Sequence, residues 1–479
     1  MSEHDVVFRD VTLVDGTGDD RRTGDLAVVG DRISALGERV EGRGAVEIDG
    51  ESLVLAPGFI DAHCHDDLPL LFLPLLEAKV SQGVTTVVNG NCGFSLAPMT
   101  RDRGRPPAPL DALTGNGRHM FETFADYFAA LDAAPPAVNS VCLVGHSALR
   151  HQVMDSFDRP ATETEIAAMA VLLRQALEDG AIGLSTGLFY PPAHAAPTAE
   201  VIELSRVLAP FGGVYVTHMR DETDGVADSL EETFAIGREA GVPVIVSHHK
   251  CAGQANHGRS VETLGLIDRA REDQTVWLDA YPYTAGSTFL QPGRVDASAK
   301  VIVTRSEPMP QAAGRDLDDL AREFGCSRRE AAERLVPGGA VYFDMDEADV
   351  IRILAYRHTM IGSDGIVAEP HPHPRAWGTF PRVLGHYSRE LGLFSLEEAV
   401  RKMTSLTAER FGLRDRGVLR EGAFADLTLF DPATIRDVGD FARPAQPAAG
   451  VVQVWTNGVC VWRDGAATGE RPGRALRRR

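Results

Sequence analysis

Short apolar runs recur along the middle of this chain, each separated from the next by a stretch whose apolar positions repeat at helical spacing. The runs are LAPGFIDAH, GVTTVVNGNC, VNSVCLVGH, AIGLSTGL, GVYVTHM, VPVIVSHH, TVWLDAYPY and HTMIGSDG. Continuous apolar runs of this length fit strands buried on both faces, as in a parallel sheet. Between them, ETEIAAMAVLLRQALEDG and DGVADSLEETFAIGREAG read as amphipathic helices, each stopped by a glycine. Eight strand–helix units over roughly 300 residues predict a (β/α)8 barrel, with its chemistry at the C-terminal ends of the strands.

The flanks are patterned differently. DVVFRDVTLVDG, GDLAVVGDRISALG and AVEIDG alternate apolar and polar positions, as half-exposed antiparallel strands do. The same writing returns in ADLTLFD and GVVQVWTNGVCVWRDG near the other end. Residues 1–55 and 416–479 are therefore expected to pair into one small β-sandwich, with residues 56–415 forming the barrel.

Composition narrows the class. The chain has 479 residues, 44% of them hydrophobic and 24% charged, enough to bury a large core. A formal charge of −20 argues against nucleic acid, whose phosphates attract a basic footprint. Six scattered cysteines form no disulfide framework and point to a reducing, cytoplasmic setting. The N-terminus lacks the apolar core of a signal peptide, and no apolar run approaches the ~18 residues of a membrane span. The basic tail RPGRALRRR reads as a frayed, solvated end. Arginine greatly outnumbers lysine, which occurs only at 79, 250, 300 and 402, so a lysine inside a motif carries weight.

The predicted strand ends hold the candidate chemistry. His63 and His65 close the first strand and, two residues apart, project to the same side, while Cys64 points away. Cys92 ends the second strand, and the fourth leads to Ser185 and Tyr190. His218 ends the fifth, His248 the sixth, Tyr281 lies on the seventh, and Asp364 ends the eighth. Singly, each has an ordinary explanation as a buried hydrophobe, a cap or a turn residue. Together, thiolate, imidazole and carboxylate make a donor set for Zn2+. His249 should face away from His248, and His146 could reach the mouth from the third strand. His371 and His373, in EPHPHPRAWG, are expected at the surface. Cys142, Cys251, Cys326 and Cys460 lack such company and read as structural. Lys250, Arg220 and Arg375 are cations suited to an anionic substrate group.

This pattern resembles the amidohydrolase superfamily: His-x-His after strand one, His after strands five and six, Asp after strand eight. Within it, GVTTVVNGNCGFSLAP, AIGLSTGLFYPP, VTHMRDE, VSHHKCAG, DAYPYTAGST, IGSDG, HPRAWGTFPRVLG and PGRALRRR resemble the D-aminoacylases, the N-acyl-D-amino-acid deacylases. The resemblance runs from about residue 54 to the C-terminus. It implies Cys92, His218 and His248 as tight zinc ligands, with His63, His65 and Asp364 completing a second, weaker position bridged by Cys92. It further implies Asp364 as general base and acid, Tyr190 polarising the scissile carbonyl, and Lys250, Tyr281, Arg375 and Ser287 holding the α-carboxylate of a small N-acyl-D-amino acid. Residues 288–343 would form a lid. Cys64 stands where relatives usually carry Thr or Ser; Arg294 begins the lid, near where acidic-substrate members carry an Arg that reads a side-chain carboxylate, and is expected here to be a surface residue. Hydantoinases and dihydroorotases place a carboxylated lysine after strand four, where this chain has none. Two alternatives share much of the pattern: a cyclic-amide hydrolase or deaminase of the same superfamily, and a non-catalytic barrel, which should have lost ligands that are all filled here. Oligomeric state, monomer or small homo-oligomer, stays open.

Overall fold

The structure is a computed structural model that describes residues 3–478. Eight parallel strands make the barrel: β1 (Phe59–Asp61), β2 (Val84–Asn89), β3 (Asn139–Cys142 continuing as Val144–Gly145), β4 (Gly183–Gly187), β5 (Val214–His218), β6 (Val244–Val246), β7 (Val276–Ala280) and β8 (Thr359–Ile361). Neighbours pair in register from β1 to β3 and from β3 to β8, as in Val88 opposite Val141 and Leu184 opposite Val144. The ring closes where Ala62 N–H donates to Ile361 O at 3.1 Å and Asp364 N–H to His63 O at 2.7 Å. Every residue of β2, VTTVVN, and of β5, VYVTH, is buried, because the outer face meets helices and the inner face meets the barrel axis.

The helix at Glu163–Asp179 begins with a capping box, the Thr162 hydroxyl accepting from Glu165 N–H while the Glu165 carboxylate accepts from Thr162 N–H. It stops at Gly180, whose φ of 118° is a conformation that side chains resist.

Strands from both ends of the chain share a single sheet, in which Val54–Pro57 pairs with Leu427–Phe430. The sheet mixes directions: His4–Leu13 runs antiparallel to Arg22–Val29 but parallel to Gly44–Asp49 and to Val54–Pro57, where the alternating pattern had suggested antiparallel pairing throughout. Phe8 and Trp455 belong to strands three steps apart in strand order, which in a flat sheet is roughly 14 Å. Their rings nevertheless meet edge-on at 5.8 Å, so the sheet curls over its own core of Phe8, Leu26, Leu427 and Trp455.

Between β7 and β8 the chain leaves the barrel. Ala285–Phe289 and Lys300–Ser306 pair antiparallel with the central strand Gly338–Phe343, and the helices Leu317–Phe324 and Arg328–Leu335 bury Leu317, Leu320 and Leu335 beside them.

The C-terminal tail is ordered, contrary to its basic, frayed reading. Ser140 N–H donates to Arg474 O at 2.9 Å, Leu476 N–H to Ser140 O at 2.8 Å and Arg478 N–H to Gly180 O at 3.0 Å, while Arg477 pairs with Asp132. The approach is so close that a Cβ on Gly473 would lie 2.1 Å from Val138 O. The tail is held by main-chain pairing to β3, which side-chain polarity does not reveal. Removing residues 473–479 is expected to cost roughly 2–6 kcal/mol, four main-chain hydrogen bonds (Gly473 N–H to Pro136 O is the fourth) at ~0.5–1.5 each, read by urea denaturation.

Candidate metal centre and active site

The C-terminal ends of β1, β2, β5, β6 and β8 converge on one buried cluster. Ligand atoms of His63, His65, Cys92 and Asp364 lie within 4.8 Å of one another, and so do those of Cys92, His218 and His248. Cys92 belongs to both groups: its Sγ is 3.3 Å from His63 Nε2 and 3.4 Å from His248 Nε2. Asp364 Oδ1 faces His65 Nε2 at 3.3 Å and His63 Nε2 at 3.6 Å, while Oδ2 accepts from Arg375 at 2.9 Å. The chain aims these side chains at the axis by bending sharply just past each strand. Cys92, His248 and Asp364 have φ of 55°, 35° and 47°, left-handed conformations that cost non-glycine residues roughly 1–2 kcal/mol each.

The donor chemistry suits a divalent cation. Burial lowers the imidazole of His63 to about 3, that of His218 far below its ordinary value, and that of His248, with Lys250 adding to the effect. All three are thus neutral, the form that binds metal. Burial, with the Asp364 and Glu222 carboxylates, pushes the Cys92 thiol well up, so a thiolate there needs a cation beside it. The buried Nδ1 atoms of His65 and His218 have no hydrogen-bond partner, as befits rings committed to something other than the protein. Burial alone would raise Asp364, but the Arg375 guanidinium outweighs it and, with the hydrogen bond to His65, holds the carboxyl well below the usual carboxylate range.

Two carboxylates essential to this geometry escaped the sequence reading. Glu222, four residues after His218, accepts from Lys250 Nζ at 2.6 Å and lies 3.0 Å from His248 Nδ1 and 3.6 Å from His218 Nε2. Asp279 accepts from His248 N–H at 2.9 Å and sits 3.4 Å from His63 Nδ1. Carboxylates behind ligating imidazoles fix ring orientation and tautomer. The acids of VTHMRDE and WLDAY were the available signal, but neither ends a strand.

Beneath β1 and β8 lies a third feature, the fully buried Lys79. Its Nζ reaches Asp61 at 2.7 Å, Ser363 Oγ at 2.8 Å and Asp66 at 3.2 Å. Asp61 in turn accepts from His63 N–H at 3.2 Å and Ser363 N–H at 2.8 Å, so one ammonium ties together the backbones that carry His63 and Asp364. Lys79→Met strands buried carboxylates and is expected to cost ~3–5 kcal/mol in urea denaturation, against under 1 kcal/mol for an exposed pair.

The remaining sequence candidates are placed as follows. Tyr190 OH is 3.3 Å from Thr288 Oγ1, and its ring lies 4.8 Å from that of His218. The Arg375 guanidinium sits 4.5 Å from the Tyr281 ring and donates to Ser287 O at 3.1 Å. Cys64 faces the wall, its Sγ 3.1 Å from Asn89 Oδ1, and His249 turns away to Thr263 at 2.9 Å. Ser185 is occupied with main-chain groups, its Oγ accepting from Gly93 N–H at 2.9 Å.

The expectations for Arg220, His371, His373 and Arg294 are corrected, and the open question of His146 is decided. Arg220 is not free for a substrate: it is paired with Glu232 at 2.8 Å and caps the carbonyls of His194 and Ala196. His146 does not reach the mouth, because it starts a helix and is buried against Glu200 at 3.0 Å. His373 is not a surface residue: at 3% exposure its Nε2 donates to Ala285 O, and its Nδ1 accepts from Arg375 N–H, each at 2.9 Å. His371, half-buried, bonds Phe441 O at 2.9 Å. Arg294 is also drawn in, paired with Asp344 at 2.8 Å over the Tyr342 ring at 4.9 Å. In the last two cases long-range packing of the inserted sheet covers loops that read locally as exposed.

A family model described as "Amidohydrolase family" matches residues 46–287 and 332–462. The D-aminoacylase of Alcaligenes xylosoxydans xylosoxydans is 54% identical, over 99% of this chain and 98% of that protein. The chain belongs to the D-aminoacylase family of amidohydrolases. The N-acyl-D-aspartate deacylase of the same organism is 50% identical, over 99% of this chain and 95% of its own length. Among solved structures, the N-acyl-D-glutamate deacylase of Bordetella bronchiseptica, bound to zinc and a phosphonate mimic of the tetrahedral intermediate, superposes with a TM-score of 0.96 at 45% identity, covering 99% of each chain. The two deacylases are named for different acidic amino acids, D-aspartate and D-glutamate.

Proposed function

We propose that this chain hydrolyses the amide bond of N-acyl-D-amino acids, releasing a D-amino acid and a carboxylate. The observation that carries the reading is the sharing of the Cys92 sulfur between two donor groups, with the Asp364 carboxylate and the Arg375 guanidinium at their edge. Cys92, His218 and His248 would hold the tighter zinc, and His63, His65 and Asp364 a weaker second position bridged by Cys92. Zinc bound there supplies Lewis acidity, which polarises an amide carbonyl and lowers the pKa of water from ~15.7 towards ~7.

The protein's own residues do the rest. Asp364, held ionised by Arg375, takes a proton from the attacking water. The water oxygen bonds to the carbonyl carbon, the C–N bond breaks, and Asp364 returns the proton to the departing amine. Burial raises the Tyr190 phenol well above its ordinary value, so it stays protonated and can donate to the developing oxyanion. Lys250, Tyr281, Arg375 and Ser287 receive the α-carboxylate. Both cations are already partnered, by Glu222 and Asp364, so they are fixed in place before substrate arrives. Carboxylate, carbonyl and side chain then give three fixed points, which distinguish enantiomers.

A panel of N-acetyl-D- and N-acetyl-L-amino acids, assayed with zinc quantified on the same preparation, tests this. Free amine is expected from the D-series alone and only from protein carrying zinc. Turnover confined to L-substrates, or to hydantoins, overturns it.

A further inference from the structure

A cavity of about 320 Å³ opens beside the centre, with His65, Tyr190, Ser287 and Asp364 at its inner end. Lys250, Tyr281 and Arg375 are not among its walls; Lys250 and Tyr281 line a separate small cleft with Met345. An amide has two arms at its reacting carbon. If the amino-acid carboxylate is held by those three side chains, with Ser287, whose carbonyl accepts from Arg375, meeting it from the cavity's inner end, the acyl arm is directed into the cavity.

Its size and lining say what that arm is. One water takes up ~30 Å³ in the liquid, so the three heavy atoms of an acetyl group leave most of the space unfilled. Beyond the centre the walls are Phe94, Leu113, Phe289 and Ile366. At the outer end Arg305 stands 3.6 Å from Glu369, and Glu307 lines the same wall, so two carboxylates offset the one guanidinium and leave no net positive charge to attract an anionic acyl group. We propose that this cavity is the acyl-group pocket and that it takes neutral, linear aliphatic acyl chains longer than acetyl. The proposal rests on the deacylase reading above.

Each methylene buried against these walls is expected to raise kcat/KM roughly fourfold. The experiment holds the amino acid constant as D-leucine and varies the acyl group from acetyl through butanoyl to hexanoyl, with succinyl as the charged control. Expected is a rise from acetyl to hexanoyl, with succinyl far below butanoyl. Leu113→Trp, which fills the cavity away from the centre, should lower the hexanoyl-to-acetyl ratio at least tenfold, and Leu113→Ala provides a milder second variant with a smaller loss. Hydrolysis of the acetyl substrate with a flat or falling acyl series overturns the pocket while leaving the deacylase reading intact. A Leu113→Trp effect that is equal across acyl groups, or that instead alters discrimination between D-alanine and D-leucine, also overturns it. No turnover of any N-acyl-D-amino acid overturns both.

Discussion

Asp364→Asn is expected to abolish turnover while zinc stays bound. The carboxamide keeps the shape of the side chain but has no basic oxygen to take a proton from water, and general acid–base catalysis alone typically contributes ~10²–10⁴-fold. The loss should fall on kcat more than on KM, since of the groups assigned to the α-carboxylate only Arg375 loses a partner. Cys92, His218 and His248 do not depend on Asp364 to approach one another, so one equivalent of zinc should survive purification. The substitution also leaves the buried Arg375 without the carboxylate 2.9 Å away, so a folded, zinc-loaded sample has to be demonstrated before the rate is interpreted. A folded variant with near-wild-type kcat removes Asp364 from the proton-transfer role.

Cys92→Ala should have the second large effect, and a different signature. It deletes the donor common to both groups, so metal content and activity fall together. Losing partners that merely orient ligands costs metal sites ~10–100-fold in affinity, and losing a ligand should exceed that. Zinc titration of the stripped variant, read by calorimetry, gives the number directly. Stoichiometric zinc retained at wild-type affinity would show that the sulfur is a packing group, and the shared-sulfur reading would fail. Alanine keeps a Cβ at a φ of 55°, so the variant gains no relief of backbone strain to confuse the result.

Much of this protein is written locally. Apolar runs such as VTTVVN and VYVTH declare buried parallel strands because a strand covered on both faces has no polar side to display. Once eight such runs are counted, the barrel follows, and with it the convergence of whatever ends each strand. That is how His63, His65, Cys92, His218, His248 and Asp364 could be named before any pairing was known. The alternating flanks likewise announced a sheet built from both chain ends, although not its mixture of parallel and antiparallel neighbours.

Tertiary structure decided which charges are spoken for. Glu222 meets Lys250 28 residues on, Arg220 meets Glu232 12 residues on, and Lys79 meets Ser363 284 residues on, where the ring closes. Packing of the inserted sheet buries His373 and draws Arg294 onto Asp344, and main-chain pairing stitches a basic tail to β3. Side-chain periodicity records whether a residue faces core or solvent, and it is set by near neighbours along the chain. Pairing between charges and between backbone groups joins segments from 12 residues apart, as in Arg220–Glu232, to 284 apart, as in Lys79–Ser363, and no local pattern encodes it.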